Sequence, residues 1–291
     1  MSISYSQDQA ASLNAMKRET VIRPPSLLRF DLPGNLARLV EYRDLLYTLS
    51  VHRVKVRYKQ TALGISWAIL QPLSIMLLFT MIFSLIVKMP SEGAPYAAFA
   101  YTALLPWTYF STALSNGASG LVSNSQLITK VYFPREILPL TYVVAALFDF
   151  VIASTVLAAL MIYYKVSLTA NALYAIPIIF VLTLFVSGVS LLLSAMQVRF
   201  RDIGVAMPLL LQVWMFATPV AYPLSAVPER FRALYLLNPM VGIIENFRRV
   251  ILHGAAPDFS SLGLGCLISV VLLGASYVYF KRVEATMADI I

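Results

Sequence analysis

A run of 28 residues without a charged side chain, from Gln60 to Val87, most constrains what this chain can fold into. A helix needs about 20 residues, at ~1.5 Å each, to cross a hydrocarbon core about 30 Å thick. Because lipid offers no hydrogen-bond partners, only a helix can satisfy the backbone of such a run on its own. The sequence therefore predicts a membrane-spanning helix at about residues 62–87.

The composition indicates a membrane protein along the whole chain. Charged residues make up 12% of the 291, whereas soluble domains contain about 25%. The mean hydropathy is +0.76. Four basic residues within Arg53–Lys59 precede the first span, and the positive-inside bias places them in the cytoplasm. Topology accounts for the net charge of +8, so we expect the membrane and no nucleic acid as a partner.

The charge-free runs predict an all-α integral membrane protein with six transmembrane helices. The spans are expected at about 62–87, 97–121, 138–164, 172–195, 203–221 and 261–280, within a transmembrane domain of residues 60–282. Of the 22 Lys and Arg residues, sixteen fall on the predicted inner side and six on the outer side. This asymmetry favours a multi-pass topology with both termini in the cytoplasm.

The segments around the spans have patterns of their own. Residues 1–34 are polar and contain three prolines, which predicts a flexible cytoplasmic tail, and residues 283–291 form a second tail. Residues 35–59 predict an amphipathic interface helix on the inner membrane surface, with an ordinary packed cytosolic helix as the alternative. Residues 228–252 contain two amphipathic helices too short to span, joined at the helix-capping pair Asn238-Pro239. We expect these two helices to form a re-entrant hairpin.

The side chains that catalytic and metal sites require are scarce. No glycine is followed by Lys-Ser or Lys-Thr, so the chain has no P-loop for nucleotide phosphates. The two histidines fall on opposite predicted sides of the membrane, and the single cysteine, Cys266, lies in an apolar run. We therefore expect no metal site and no disulfide, and we predict a transport subunit without catalytic residues.

The polar residues inside the predicted spans have two possible roles, one structural and one in transport. Asp149 either makes a structural hydrogen bond to a neighbouring helix, which we favour, or takes a direct part in transport. Ser111, Ser115 and Ser119 recur every four residues. Close packing against another helix is favoured for this stripe over a polar pore lining.

An apolar patch occurs on the predicted cytoplasmic segment between the second and third spans. Leu127 and Val131 are four residues apart, as are Ile128 and Tyr132, on a short predicted helix. Apolar patches in such a position mark contact sites for other proteins.

Aromatic residues crowd the predicted outer half of the second span and the region of the fifth span and hairpin. They either anchor the bundle at the membrane interface or form a wall along which sugar rings slide. The flat apolar faces of aromatic rings suit the C–H faces of sugars. The candidate residues for a substrate channel and exit gate are Trp107, Tyr109, Phe110, Trp214, Phe216, Tyr222, Asn238 and Pro239.

Five segments, taken in order, resemble a known family. They are YKQTALGISWAILQPL (58–73), NSQLITKVYFPREILPL (124–140), RFRDI (199–203), LQVWMFATPVAY (211–222) and NPMVGIIE (238–245). The chain resembles the transmembrane (permease) subunit of bacterial ABC transporters that export polysaccharides such as O-antigen, capsular polysaccharide or teichoic acid. The resemblance covers about residues 40–285.

The resemblance implies a homodimer of six-span subunits in the bacterial cytoplasmic (inner) membrane, with two separate ABC ATPase subunits that use ATP and magnesium. It also implies a channel at the dimer axis for a lipid-linked polysaccharide, and a coupling helix where the apolar patch lies. The residues expected to contact the ATPase are Asn124, Gln126, Leu127, Ile128, Lys130, Val131, Tyr132, Arg201 and Asp202. The alternatives are an ABC exporter of another amphiphile, such as a drug or glycolipid, and a membrane-embedded enzyme acting on lipid-linked sugars.

Overall fold

The computed structural model describes residues 38–59 and 61–290, and no β-strand occurs among them. The predicted tail, residues 1–34, lies outside the described residues. In chain order the described helices are α1 (Arg43–Tyr58), α2 (Trp67–Phe79), α3 (Tyr96–Ala118), α4 (Ser125–Lys130), α5 (Ile137–Tyr163), α6 (Ala175–Arg199), α7 (Asp202–Phe216), α8 (Glu229–Leu236), α9 (Pro239–Ile251) and α10 (Phe259–Ile290).

The all-helical membrane fold is confirmed. Four described segments are long and apolar enough to cross a membrane: Gly64–Ile86, Ile137–Tyr163, Ala170–Arg199 and Phe259–Glu284. They coincide with the first, third, fourth and sixth predicted spans. Their exposed side chains include large apolar ones such as Leu85 and Val271, as expected of helices in hydrocarbon.

The second and fifth predicted spans correspond to α3 and α7, and six spans remain a prediction. α3 has 23 residues, which is long enough to cross, but its surface is mostly buried by other helices. α7 has 15 residues, about 22 Å, and ends at Phe216, whereas the fifth span was expected to continue to residue 221. α10 continues to Ile290, past the start of the predicted tail at residue 283.

α3 lies at the centre of the bundle and contacts α2, α5, α6, α7 and α9. Its side chains of Phe99, Tyr101, Leu104 and Phe110 are fully buried in the main apolar core. α6 packs closely against α10, because a Cβ on Gly188 would lie 3.0 Å from the backbone of Leu273. The absence of a side chain at this position therefore sets the spacing of α6 and α10.

The bundle has two distinct ends. At one end, which we call the α4 end, a second apolar cluster joins α1, α4, α6 and α10 through side chains such as Leu46, Ile128 and Phe280. At the opposite end, which holds α8 and α9 and which we call the α9 end, the segment before α8 meets the loop before α3, because Ser225 donates a hydrogen bond to Glu92. The predicted pair of short helices is present there, and the Asn238 side chain caps α9 by accepting from the Met240 N–H.

Candidate functional site

A groove of about 570 Å³ lies between α2, α3, α5 and α7. One wall is polar, because residues three and four apart on α3 share a face. Its hydroxyl and amide side chains are Thr108, Ser111, Thr112, Ser115 and Asn116. The facing surfaces come from α2, with Trp67, Gln71 and Pro72, and from α7, with Pro208 and Leu211.

The serine stripe of α3 has a role different from the one favoured above. Ser111 and Ser115 line the groove, and Ser115 is exposed there. The opposite face of α3, which carries Phe99 and Phe110, is buried in the main apolar core. Within the single subunit no described helix packs closely on Ser111 and Ser115, so the expected close packing is not found there, and the alternative of a polar pore lining fits these two serines.

An ion pair closes one part of the groove. The Arg57 guanidinium of α1 donates to one Asp149 oxygen on α5, and the Tyr58 hydroxyl donates to the other at 2.7 Å. The Arg57 and Asp149 side chains are 29% and 16% exposed. A buried ion pair is stable when hydrogen bonds satisfy its remaining atoms, as the tyrosine does here. The predicted hydrogen bond from Asp149 to a neighbouring helix is confirmed, and the partner helix is α1.

A second arginine of α1 fixes this helix nearer the α4 end. The Arg53 guanidinium donates to the Asn124 side chain at 2.6 Å and lies 4.6 Å from the centroid of the Tyr142 ring. Asn124, a predicted ATPase contact, therefore also attaches the start of α4 to α1. Through Arg53 and Arg57, α1 follows α5 from the α4 end to the groove.

Three aromatic residues predicted to line a channel lie in the core of the subunit. Trp107, Tyr109 and Phe110 are buried, and of the three only Tyr109 borders the groove. Phe110 stacks on Phe185, with ring centroids 5.7 Å apart, and meets Trp214 edge-on. Because Trp107 and Phe110 face away from the groove, they act as packing residues in this subunit, and the wall of the groove carries hydroxyls instead.

The remaining exit-gate candidates lie where α7 ends and α9 begins. The Trp214 indole donates to the Asn238 side chain at 3.2 Å, and the Asn238 amide donates to the Thr218 hydroxyl at 3.0 Å. Tyr222 donates to the Phe216 carbonyl at 2.6 Å. Trp214, Asn238 and Pro239 border a second cavity of about 690 Å³, whose other lining residues are mostly apolar. The structure thus brings Trp214, Asn238 and Pro239 together around this second cavity, which shares the lining residue Leu211 with the groove.

Sequence reasoning missed Arg248 of α9, whose side chain is 1% exposed. Its guanidinium donates to the carbonyls of Pro219 and Val220, at 2.7 and 2.6 Å, and stands 3.7 Å over the Phe99 ring. The segment after α7 has lost helical hydrogen bonding, so its buried carbonyls need other donors. The available signal was the i, i+3 pair of Glu245 and Arg248 within an otherwise apolar helix face.

The predicted ATPase contacts are only partly accessible at the α4 end. Val131 and Tyr132 are 52% and 78% exposed, whereas Ile128 is buried in the second apolar cluster. Ile128 therefore holds α4 on the bundle and is not free to bind a partner, contrary to the expectation. The other exposed candidates are Gln126, Lys130, Arg201 and Asp202, and Leu127 is half-buried.

Among the residues that the structure describes, no group of His, Cys, Asp and Glu side chains could hold a metal ion. The titratable groups that line the groove are Asp149, whose carboxylate accepts from Arg57 and Tyr58, and Tyr109, whose hydroxyl donates to Thr183. The groove therefore offers hydroxyls, amides and a neutralised ion pair, which suits binding of a polar, uncharged chain more than acid–base chemistry.

Residues 44–252 match the family described as ABC-2 type transporter. The chain is 33% identical over 253 residues to "O-antigen export system permease protein RfbA" of Myxococcus xanthus, which covers 86% of this chain and 96% of that protein. It is 26% identical over 249 residues to a protein of the same name from Klebsiella pneumoniae, covering 85% of this chain and 95% of the relative.

Proposed function

This chain belongs to the ABC-2 type transporter family, and from that premise we propose that it is the permease subunit of an ATP-driven exporter of lipid-linked polysaccharide of the O-antigen type. The observation that carries the proposal is the 33% identity to an O-antigen export permease over 96% of that protein's length. The chain acts as a transport component, and we assign ATP hydrolysis, with its magnesium, to a separate ABC ATPase because the sequence has no P-loop.

We infer that two copies of the chain enclose the transport path, each contributing one groove. The groove is only partly enclosed in the single subunit, and α2 and α7 form two of its sides. These helices also carry exposed large apolar side chains, including Leu77 on α2 and Leu209 on α7. Apposition of two such surfaces would bury the apolar flanks and close the groove into a channel, which supports a homodimer.

The chemistry of the polar wall supports a glycan as the transported chain. Neutral hydrogen bonds in water contribute only about 0.5–1.5 kcal/mol net each, because each replaces a bond to water. A row of similar hydroxyls along α3 therefore lets a sugar chain exchange partners one at a time, and no single position holds it tightly. A tight binding site would stop a polymer that has to move through.

We place the α4 end in the cytoplasm and the ATPase against Val131 and Tyr132 of the loop after α4. Both side chains are apolar or aromatic and more than half exposed, which supports a contact with another protein. On this orientation both termini are cytoplasmic and the α9 end faces outward across the inner membrane. The positive-inside count of the sequence agrees with it.

Deletion of the gene, with complementation by the wild-type chain, tests the function. We expect polysaccharide on a lipid carrier to accumulate inside the cell, while surface polysaccharide, measured with a specific antibody or lectin, disappears. An ATPase partner that binds ATP but cannot hydrolyse it should give the same result. Normal surface polysaccharide together with loss of export of another amphiphile would transfer the chain to the drug or glycolipid class. Turnover of lipid-linked sugars by the purified chain would indicate an enzyme.

A further inference from the structure

The loop that follows α4 ends in Pro134-Arg135-Glu136, and the structure attaches this segment to α10. Lys281 Nζ lies 2.8 Å from Glu136 Oε1, and the side chains are 14% and 1% exposed. The Tyr277 hydroxyl also donates to the Glu136 carboxylate, at 3.3 Å. Glu136 is thus a buried carboxylate with two donors, both on α10.

A second set of bonds joins the same two parts of the chain. Glu284, one turn beyond Lys281, accepts from Lys281 Nζ at 2.9 Å and from the Arg135 backbone N–H at 3.2 Å. The Arg135 guanidinium donates to the Glu284 carbonyl oxygen. We call Arg135, Glu136, Lys281 and Glu284 the latch. Because it has four residues and several bonds, the latch fixes both the distance and the register between the loop and α10.

Stability alone does not account for the latch. Removing a charged pair from water is costly, and apolar side chains of similar volume give equal or greater stability at many such sites. What an ionic network adds is a single defined arrangement, since a shift of one partner leaves a buried charge unpaired. The network therefore joins the loop after α4 to the adjacent turn of α10 at several points.

The other end of α10 is attached to α9. The Asn246 side chain donates to the Ser261 hydroxyl at 3.0 Å and accepts from the Asp258 N–H at 2.6 Å. A Cβ on Gly242 would lie 3.0 Å from the Ser261 carbonyl oxygen, so α9 and the start of α10 are in close contact. α10 has 32 residues, about 48 Å of helix, and therefore connects the α4 end to the α9 end.

We propose that the latch makes α10 a connecting rod, through which displacement of the ATPase-contacting loop reaches the α8–α9 hairpin. Glu136 and Lys281 are then positioning residues for transport: they touch neither the glycan nor ATP. The close packing of α6 on α10 at Gly188 keeps the rod aligned along the bundle. This inference rests on the proposed function, because it requires an ATPase to move the loop.

Replacement of Lys281 tests the latch, with its exposed neighbour Arg282 as the matched control. In the full permease–ATPase complex, Lys281→Met should lower export per ATP hydrolysed about tenfold while ATP hydrolysis stays within about twofold of wild type. Lys281→Arg, which keeps the cation, should restore coupling, and Arg282→Met should change neither quantity. ATP hydrolysis is measured on the purified complex and export as surface polysaccharide in cells, each per amount of permease.

A double variant removes the concern that Lys281→Met leaves a buried carboxylate unpaired. Glu136→Gln with Lys281→Met deletes both charges, so the fold should be retained while the ionic bond is lost. The same uncoupling in this variant, at normal permease amounts, supports the latch. Normal export per ATP, or a fall of export and hydrolysis only in proportion to folded complex, overturns it. If the unaltered complex exports no polysaccharide, the proposed function fails, independently of the variants.

Discussion

Ser111 and Asn116 show how single residues make the wall of the groove both polar and weakly binding. The Ser111 hydroxyl donates to the Thr108 carbonyl at 3.3 Å, and the Asn116 amide donates to the Thr112 carbonyl at 2.8 Å. The Ser111 hydroxyl proton and one of the two Asn116 N–H donors are therefore occupied within α3, while oxygen lone pairs remain available to the groove. A wall rich in acceptors suits a glycan, whose hydroxyls can donate to them.

Ser115 offers the sharpest test of this wall, because it is exposed in the groove and its replacement disturbs no packed neighbour. Ser115→Leu narrows the groove and removes one hydroxyl from its wall, and we expect export to fall about tenfold, which corresponds to about 1.4 kcal/mol. Thr155→Leu, on an exposed face of α5, is the matched control. Surface polysaccharide per permease measures the effect, and equal export by the two variants would remove Ser115 from the path.

Arg248 is the residue whose loss should most reduce stability. Hydrogen bonds to charged groups contribute about 1.5–3 kcal/mol each, and Arg248→Met removes the donors to the buried carbonyls of Pro219 and Val220. We expect a markedly lower Tm in detergent. Arg249→Met, which affects the exposed neighbouring arginine, should change stability by less than about 0.5 kcal/mol. Equal Tm values for the two variants would contradict the role assigned to Arg248.

The short helix α4 packs on the bundle with one side, and the two residues that follow it are exposed. Ile128 packs into the bundle, and the chain then turns so that Val131 and Tyr132 face away from it. The face of α4 that holds the helix in place thus lies directly beside the side chains available to a partner. The consequence is that neighbouring apolar residues of one short segment should respond in opposite ways to the same substitution.

Val131→Asp and Ile128→Asp separate these tasks. An aspartate at the exposed Val131 is solvated in the free subunit. In a dry contact with the ATPase its carboxylate would lose that water, which costs several kcal/mol of binding free energy. We expect normal permease amounts and loss of ATPase co-purification. At Ile128 the same change buries a charge in the subunit itself, so permease amounts should fall. Normal co-purification and export by Val131→Asp would exclude this joint.

The sequence identified the helices well, because charge-free length and hydropathy report directly on burial in lipid. It could not assign the faces of α3, where serines and aromatics both recur at helical spacing. Periodicity tells which residues share a face, but not which face meets another helix. For Trp107 and Ser115 that was decided by contacts with α5, α6 and α7, which are distant in the chain. Arg248 was missed because its partners are backbone carbonyls, which carry no side-chain pattern.

Because the α4 end and the α9 end are expected on opposite sides of the membrane, the orientation of the bundle in the membrane can be tested. In a Cys266→Ser background, a cysteine at Lys130 belongs to the α4 end and one at Arg230 to the α9 end. A membrane-impermeant thiol reagent applied to sealed cells should label the cysteine at Arg230 and spare that at Lys130. Labelling after the membrane is opened provides the control. The reverse pattern would invert the proposed orientation and place the ATPase joint on the wrong side.

The incomplete enclosure of the groove in the single subunit also has a consequence for gene dosage. If only a second copy closes it, active exporter forms in a step that is second order in free subunit. At low expression, the number of exporters then grows with the square of the rate of synthesis. Halving expression would lower surface polysaccharide about fourfold, and an inactive copy that still pairs would act as a dominant inhibitor of its normal partner.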